Sequence, residues 1–143
     1  MPYKFVEGIT VADMAFEATG RTPEKMFEAA ALALTNIQVK SLKAIKPIIR
    51  KAISVNAEDL ERLLFTFLQE LIFLKDVDQL VFSKYKVEIF EKDKKFMLNC
   101  VAQGEKLNMK KHNLIVDAKA ITYHQFEVKK TKKGWRAVVV VDI

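Results

Sequence analysis

The chain has 143 residues, 50% of them apolar and 29% charged, enough to bury one sizeable core and unlike a disordered or fibrous protein. Four glycines and three prolines leave no room for a flexible linker, so residues 1–143 are expected to form a single domain. Twenty-four bases against eighteen acids give a net charge of +6, and most of the surplus falls in the second half of the chain.

A strand-like stretch runs from Tyr3 to Val6 and another from Met14 to Thr19. The first helix then shows its start: Thr22 as N-cap, Pro23 at the first helical position, Glu24 against the N-terminal dipole. Its body, Met26 to Leu34, is apolar nearly all round and should be deeply packed, with Asn36 as its expected terminator. Lys40 to Lys51 is basic and contains Pro47, which argues against a helix there. Ile48 to Val55 is rich in β-branched residues and reads as a strand with Ile49, Ile53 and Val55 on one face.

Asn56-Ala57-Glu58-Asp59 reads as an N-cap followed by acids in a first turn. Leu60, Leu63, Leu64, Phe67, Leu68, Leu71 and Ile72 then hold the 3.6-residue period for more than three turns, with Glu61, Arg62, Gln69 and Glu70 opposite. After Lys75 the period becomes two. Tyr85, Val87 and Ile89, a polar turn at 91–95, and Phe96, Leu98, Cys100 and Ala102 predict a β-hairpin. Residues 105–114 read as a loop. A second hairpin pairs Gln125–Lys130 with Trp135–Val141 around a turn at 132–134, and its valine-rich last strand should lie in mid-sheet. The plan is α+β: two helices packed on a mixed, largely antiparallel sheet.

Several chemistries are excluded. Gly8, Gly20, Gly104 and Gly134 are isolated, so there is no glycine-rich phosphate loop, and no serine has the flanking glycines of a nucleophile elbow. The single cysteine, Cys100, falls on an apolar strand face and reads as an inert core thiol. His112 and His124 lack zinc spacing and read as structural. No stretch has the length of a membrane span, and the first residues lack a secretory h-region, so the chain reads as cytoplasmic. The lysines at 92, 94, 95, 129, 130, 132 and 133 lie near hairpin tips and suit either a solvated surface or an RNA-binding module. Against base stacking, the strands show no clear exposed aromatic pair.

Two acids stand out. Asp13 lies among Val11, Ala12, Met14 and Ala15, and Asp142 follows Val138–Val141 beside Ile143, the last residue. A carboxylate against a buried strand is costly unless paired or metal-bound. Two carboxylates plus the terminal carboxylate of Ile143 would suit a hard cation such as Ca²⁺ or Mg²⁺, although a strand-end aspartate can equally be a solvated end. Lys119, between Ala118 and Ala120, either lays its stem on the sheet or offers a cation to those acids or to a phosphate. A metal-dependent hydrolase built on Asp13 and Asp142 would still need a general base, which neither histidine supplies by sequence position.

Three stretches together resemble the archease family: Thr10-Val11-Ala12-Asp13 with Gly20-Arg21-Thr22-Pro23-Glu24 and Phe27-Glu28-Ala29-Ala30; Glu58–Leu64 leading to Phe67–Leu71; and Lys119-Ala120-Ile121-Thr122-Tyr123-His124 with Gly134-Trp135-Arg136 and Val141-Asp142-Ile143. The resemblance implies a protein cofactor rather than an enzyme. It would activate the GTP-dependent tRNA-splicing RNA ligase by promoting guanylylation of the ligase histidine and multiple turnover, meeting RNA through the ligase and no membrane. It also implies a divalent-cation site, usually calcium with Mg²⁺ or Mn²⁺ as alternatives, at Asp13, Asp142 and Ile143, and a functional lysine at Lys119. The family usually has His-Thr where this chain has Thr10-Val11, so the Asp is kept and the histidine is not. A basic RNA-binding or chaperone-like module in RNA processing is the alternative reading.

Overall fold

The structure, a computed structural model, describes residues 2–6 and 13–143. The Thr10-Val11 departure therefore lies outside the described residues. Alternating apolar residues form strands β1 (Tyr3–Val6), β2 (Asp13–Gly20), β3 (Ile49–Ala57), β4 (Leu80–Lys92), β5 (Lys95–Lys106), β6 (Ala120–Thr131) and β7 (Gly134–Asp142). The helices are α1 (Pro23–Gln38), α2 (Leu60–Asp78) and the short α3 (Met109–His112). The α+β class and both long helices are as expected. In place of one mixed sheet there are two antiparallel ones, ordered β1-β2-β7-β6 and β3-β5-β4. No helix of the described residues is long and apolar enough to cross a membrane.

The helices account for the division. Helix α1 packs against β2 and β7 of the larger sheet and β4 of the smaller, while α2 touches β6 on one side and β3, β4 and β5 on the other. A helix covered from both sides must be apolar all round, which is the pattern of Met26 to Leu34. Ala29, Ala30, Ala31 and Ala33 are buried in α1, so little side-chain bulk separates the helix from its neighbours. The two helices meet where the Phe27 and Phe67 rings stack with centroids 6.2 Å apart. Strand β7 is the buried centre of its sheet, with Val139, Val140 and Val141 inaccessible, as its valine run predicts.

Helix ends differ from expectation in two places, and β6 begins at Ala120 rather than at Gln125. Thr22 does cap α1, its hydroxyl accepting from the Lys25 amide at 3.2 Å, but the helix continues past Asn36 to Gln38. Asn36 instead donates to the carbonyls of Val39 and Lys40, fixing the chain as it leaves the helix. The cap of α2 is Asp59, whose carboxylate accepts from the Arg62 amide at 2.7 Å. Asn56 and Ala57 are held extended by pairing with Met97 and Phe96, and this ladder delays the helix. In the smaller sheet, β4 is irregular between Phe82 and Lys84, and Gly104 lies beneath it. A Cβ at Gly104 would come within 1.8 Å of the Val81 carbonyl oxygen, so the close approach requires glycine there.

Residues 105–114 hold more structure than a loop. His112 is buried; its Nδ1 accepts from the Asn108 amide at 2.9 Å, leaving Nε2–H to donate to Glu105 at 2.9 Å. Glu105 also accepts from Lys111 Nζ and the Lys46 amide, each at 2.8 Å. These donors, His112 first, hold its carboxyl at about 2. Cys100 is buried as expected, and burial pushes its thiol up to about 12.

Phe67→Ala should cost about 3–5 kcal/mol in urea unfolding, since it empties the contact between the helices. Arg62→Ala, which loses the exposed pair with Glu58, should change stability by less than about 1 kcal/mol. Glu105 has a depressed carboxyl, so its contribution is complete above its usual 4.5 and is lost as pH falls through about 2. Glu105→Gln should therefore flatten the stability loss over that interval relative to the parent chain, as read by unfolding at a series of pH values.

Candidate functional site

Strand β2 begins at Asp13 and β7 ends at Asp142, and antiparallel register sets these two residues directly opposite each other. Opposed residues share a sheet face, with Cβ atoms about 4.5–5.5 Å apart, where two like charges oppose pairing. On the other side of β7, Asp142 is in register with Ala120 of β6. One residue earlier, the Lys119 amide donates to the Asp142 carbonyl at 2.8 Å. Ile143 follows, half-buried against the core. The structure thus brings Asp13, Asp142, Ile143 and Lys119, which span most of the sequence, to one corner of the larger sheet. Among the described residues no three His, Cys, Asp or Glu side chains gather as a metal cluster. The corner offers two side-chain carboxylates and neighbouring main-chain oxygens, a donor set of hard oxygens only.

The segment that carries Lys119 is fixed by polar side chains from both helices. Gln38 of α1 accepts from the Ala118 amide at 3.2 Å, and Gln69 of α2 accepts from the Ile121 amide at 2.5 Å. Lys75 of α2 is only 5% exposed; its ammonium donates to Asp117 and, at 2.7 Å, to the Ala118 carbonyl, with Asp76 3.1 Å away. A buried ammonium needs such partners, because its desolvation is otherwise uncompensated. Periodicity singles out none of these three, and it puts Gln69 on the face of α2 opposite the apolar stripe. A weak signal existed for Lys75: it continues the apolar series at Leu71 and Ile72 with the same spacing. Lys119 itself is exposed, so its backbone is anchored while its side chain reaches solvent.

Other candidates take structural or open positions. His112 is the structural residue described above, and His124 is exposed on β6. Lys92, Lys94 and Lys95 surround the β4–β5 turn, and Lys129, Lys130, Lys132 and Lys133 surround the β6–β7 turn, all exposed. One aromatic pair lies between a strand and a helix, outside the strand pattern that the sequence shows. Tyr123, 64% exposed on β6, stacks on Phe65 of α2 with centroids 3.9 Å apart and planes at 4°, and Phe126 meets both edge-on. The pair joins a strand to a helix, so alternation along a single strand does not reveal it.

Gln69→Leu would leave the Ile121 amide without its acceptor, at a cost of about 1–3 kcal/mol. Hydrogen exchange at Ile121 should accelerate roughly tenfold or more, while Val139 and Val140 in mid-sheet keep their protection.

A family model described as Archease protein family (MTH1598/TM1083) matches residues 3–143. The chain is 42% identical to the protein archease of Pyrococcus furiosus over 133 residues, covering 92% of this chain and 93% of that one. It is 40% identical to the protein archease of Methanosarcina mazei over 142 residues, covering 99% and 95%. Its fold matches the solution structure of Methanobacterium thermoautotrophicum protein 1598 with a TM-score of 0.87, at 31% identity and 99% coverage of both chains. It matches the crystal structure of an archease, "possible chaperone", from Thermotoga maritima with a TM-score of 0.59, at 18% identity and 96% and 97% coverage; this second likeness concerns the fold alone.

Proposed function

The chain belongs to the archease family, and from that premise we propose that it is a cytoplasmic protein activator of the GTP-dependent tRNA-splicing RNA ligase. In this reading it catalyses nothing alone. It promotes guanylylation of the ligase's histidine and returns the ligase to that state after each turnover. The observation that carries the reading is the register of Asp13 against Asp142, with the Lys119 amide bonded to the Asp142 carbonyl. Two acids and a lysine held on a rigid sheet corner suit the charged groups of a nucleotide pocket better than they suit packing.

The donor set fits a divalent cation. The carboxylates of Asp13 and Asp142, with a main-chain oxygen of Ile143, would hold Ca²⁺, with Mg²⁺ or Mn²⁺ as alternatives, because all three ions prefer oxygen. Bound there, the cation would supply positive charge beside phosphate oxygens. The chain's own contribution is orientation. Gln38, Gln69 and Lys75 fix the backbone on either side of Lys119, so its ammonium extends from an ordered base toward the triphosphate in the ligase pocket. Nucleotidyl transfer depends mainly on positioning and on charge neutralisation, which this corner is arranged to assist.

The test is ligase guanylylation and joining of tRNA halves with the ligase substoichiometric to RNA. Asp13→Asn, Asp142→Asn and Lys119→Ala should each reduce stimulation roughly tenfold or more. Calorimetric titration with Ca²⁺ should lose its binding heat in the two aspartate variants and keep it in Lys119→Ala. Full stimulation by all three folded variants would overturn the proposal.

A further inference from the structure

At the opposite end of the larger sheet lies a groove of about 680 Å³, within the size range of small-ligand sites. One wall is the Gly20–Arg21 corner, where β2 turns toward α1; the other is the β6–β7 turn, with Lys132, Lys133 and Trp135. Gly134 brings the walls together. Its φ of +149° suits glycine, and a Cβ there would come within 2.3 Å of the Gly20 carbonyl oxygen, so no side chain can stand between turn and corner. Pro2 closes the groove at one side, tied down by a 2.6 Å bond from the Thr19 amide to its carbonyl.

The charges in this groove are one-sided. Arg136 is already engaged, its Nε 2.6 Å from Glu17 and its Nη1 3.6 Å from Glu127. Arg21, Lys132 and Lys133 are exposed and form no ion pair among the described residues, and the described lining contains no acid. Beyond the groove on β6, Lys130 is in register with Trp135 and shares its sheet face, while Lys129 is in register with Arg136 on the other face. Trp135 combines with this charge: it is half-buried against the core and also lines the groove.

We infer that this groove binds single-stranded RNA, with a base against Trp135 and the backbone phosphates on Arg21, Lys132 and Lys133. An indole beside unpaired cations matches the two faces of a nucleotide, since every base offers a π-surface and every linkage a charge. A free nucleoside triphosphate fits less well, because the described lining includes no run of glycines whose amides could wrap consecutive phosphates, whereas Lys130, on the Trp135 side of the sheet, adds a cation beyond those of the groove. An acidic peptide would satisfy the cations and leave the indole without a flat partner.

Trp135 is the only tryptophan, so its emission reports the groove directly. The full chain is titrated with an oligouridylate of about ten nucleotides, within the length one small domain engages, and separately with GTP and with oligoglutamate. RNA is expected to quench Trp135, with affinity falling as salt rises. Lys132→Ala/Lys133→Ala should lower the slope of log affinity against log salt by about 1.4, corresponding to two single-strand phosphate contacts. With dye-labelled RNA and an anisotropy readout, Trp135→Ala should weaken binding roughly tenfold and Trp135→Phe much less. The inference is overturned if RNA leaves the emission unchanged, or if GTP or oligoglutamate binds the groove as well as RNA does. It is equally overturned if RNA affinity and salt slope survive the lysine substitutions.

Discussion

Strand β7 runs between β2 and β6 with Ala137, Val139, Val140 and Val141 sealed from solvent, and the rest of the larger sheet takes its alignment from that burial. A slip of one residue against β2 would exchange the two faces of the strand, setting buried methyl groups where polar ones belong. It would also end the opposition of Asp13 and Asp142. The packing that secures the core is therefore what sets the two carboxylates side by side. Cross-strand repulsion between them is a small, local cost set against the burial of a whole valine run.

The two long helices add a different kind of constraint. Their apolar surfaces fill the space between the sheets, yet each also spends polar side chains on the segment that leads into β6. Gln38 and Gln69 accept backbone amides, and Lys75 brings a positive charge into the interior to hold Asp117 and the Ala118 carbonyl. Apolar packing alone would leave those main-chain groups buried without partners, which proteins seldom tolerate. The exposed end of Lys119 is thus backed by interior hydrogen bonds. Ordering the base of a long side chain lowers the entropy lost when its tip finds a ligand.

How much of this could be read from the sequence depends on the range of the interaction. Helix α2, the β4–β5 hairpin and central β7 follow from periodicity, because burial of one face leaves its mark every two or 3.6 residues. Asp13 and Asp142 attract attention as carboxylates beside apolar neighbours, but only register reveals that they oppose each other. The Gln38–Ala118 and Gln69–Ile121 bonds join residues 80 and 52 positions apart and have no periodic signature. Asn36 looked like a helix stop and serves as a brace for the residues beyond it. The separation into two sheets was equally hidden, since a strand's pattern shows that one face is covered without showing which layer covers it.

The pairing of β2 with β7 runs from Asp13 opposite Asp142 to Gly20 opposite Trp135. Seven steps along a strand separate the acidic corner from the cationic groove, a span of about 23 Å. Screening in physiological salt is effective beyond about 8 Å. The two ends are therefore electrostatically insulated from each other through solvent, although one rigid ladder joins them. Charge acquired or neutralised at one end leaves the potential at the other almost unchanged. The sheet works as a spacer of fixed length, able to present a carboxylate pair and a patch of cations to different parts of one large assembly.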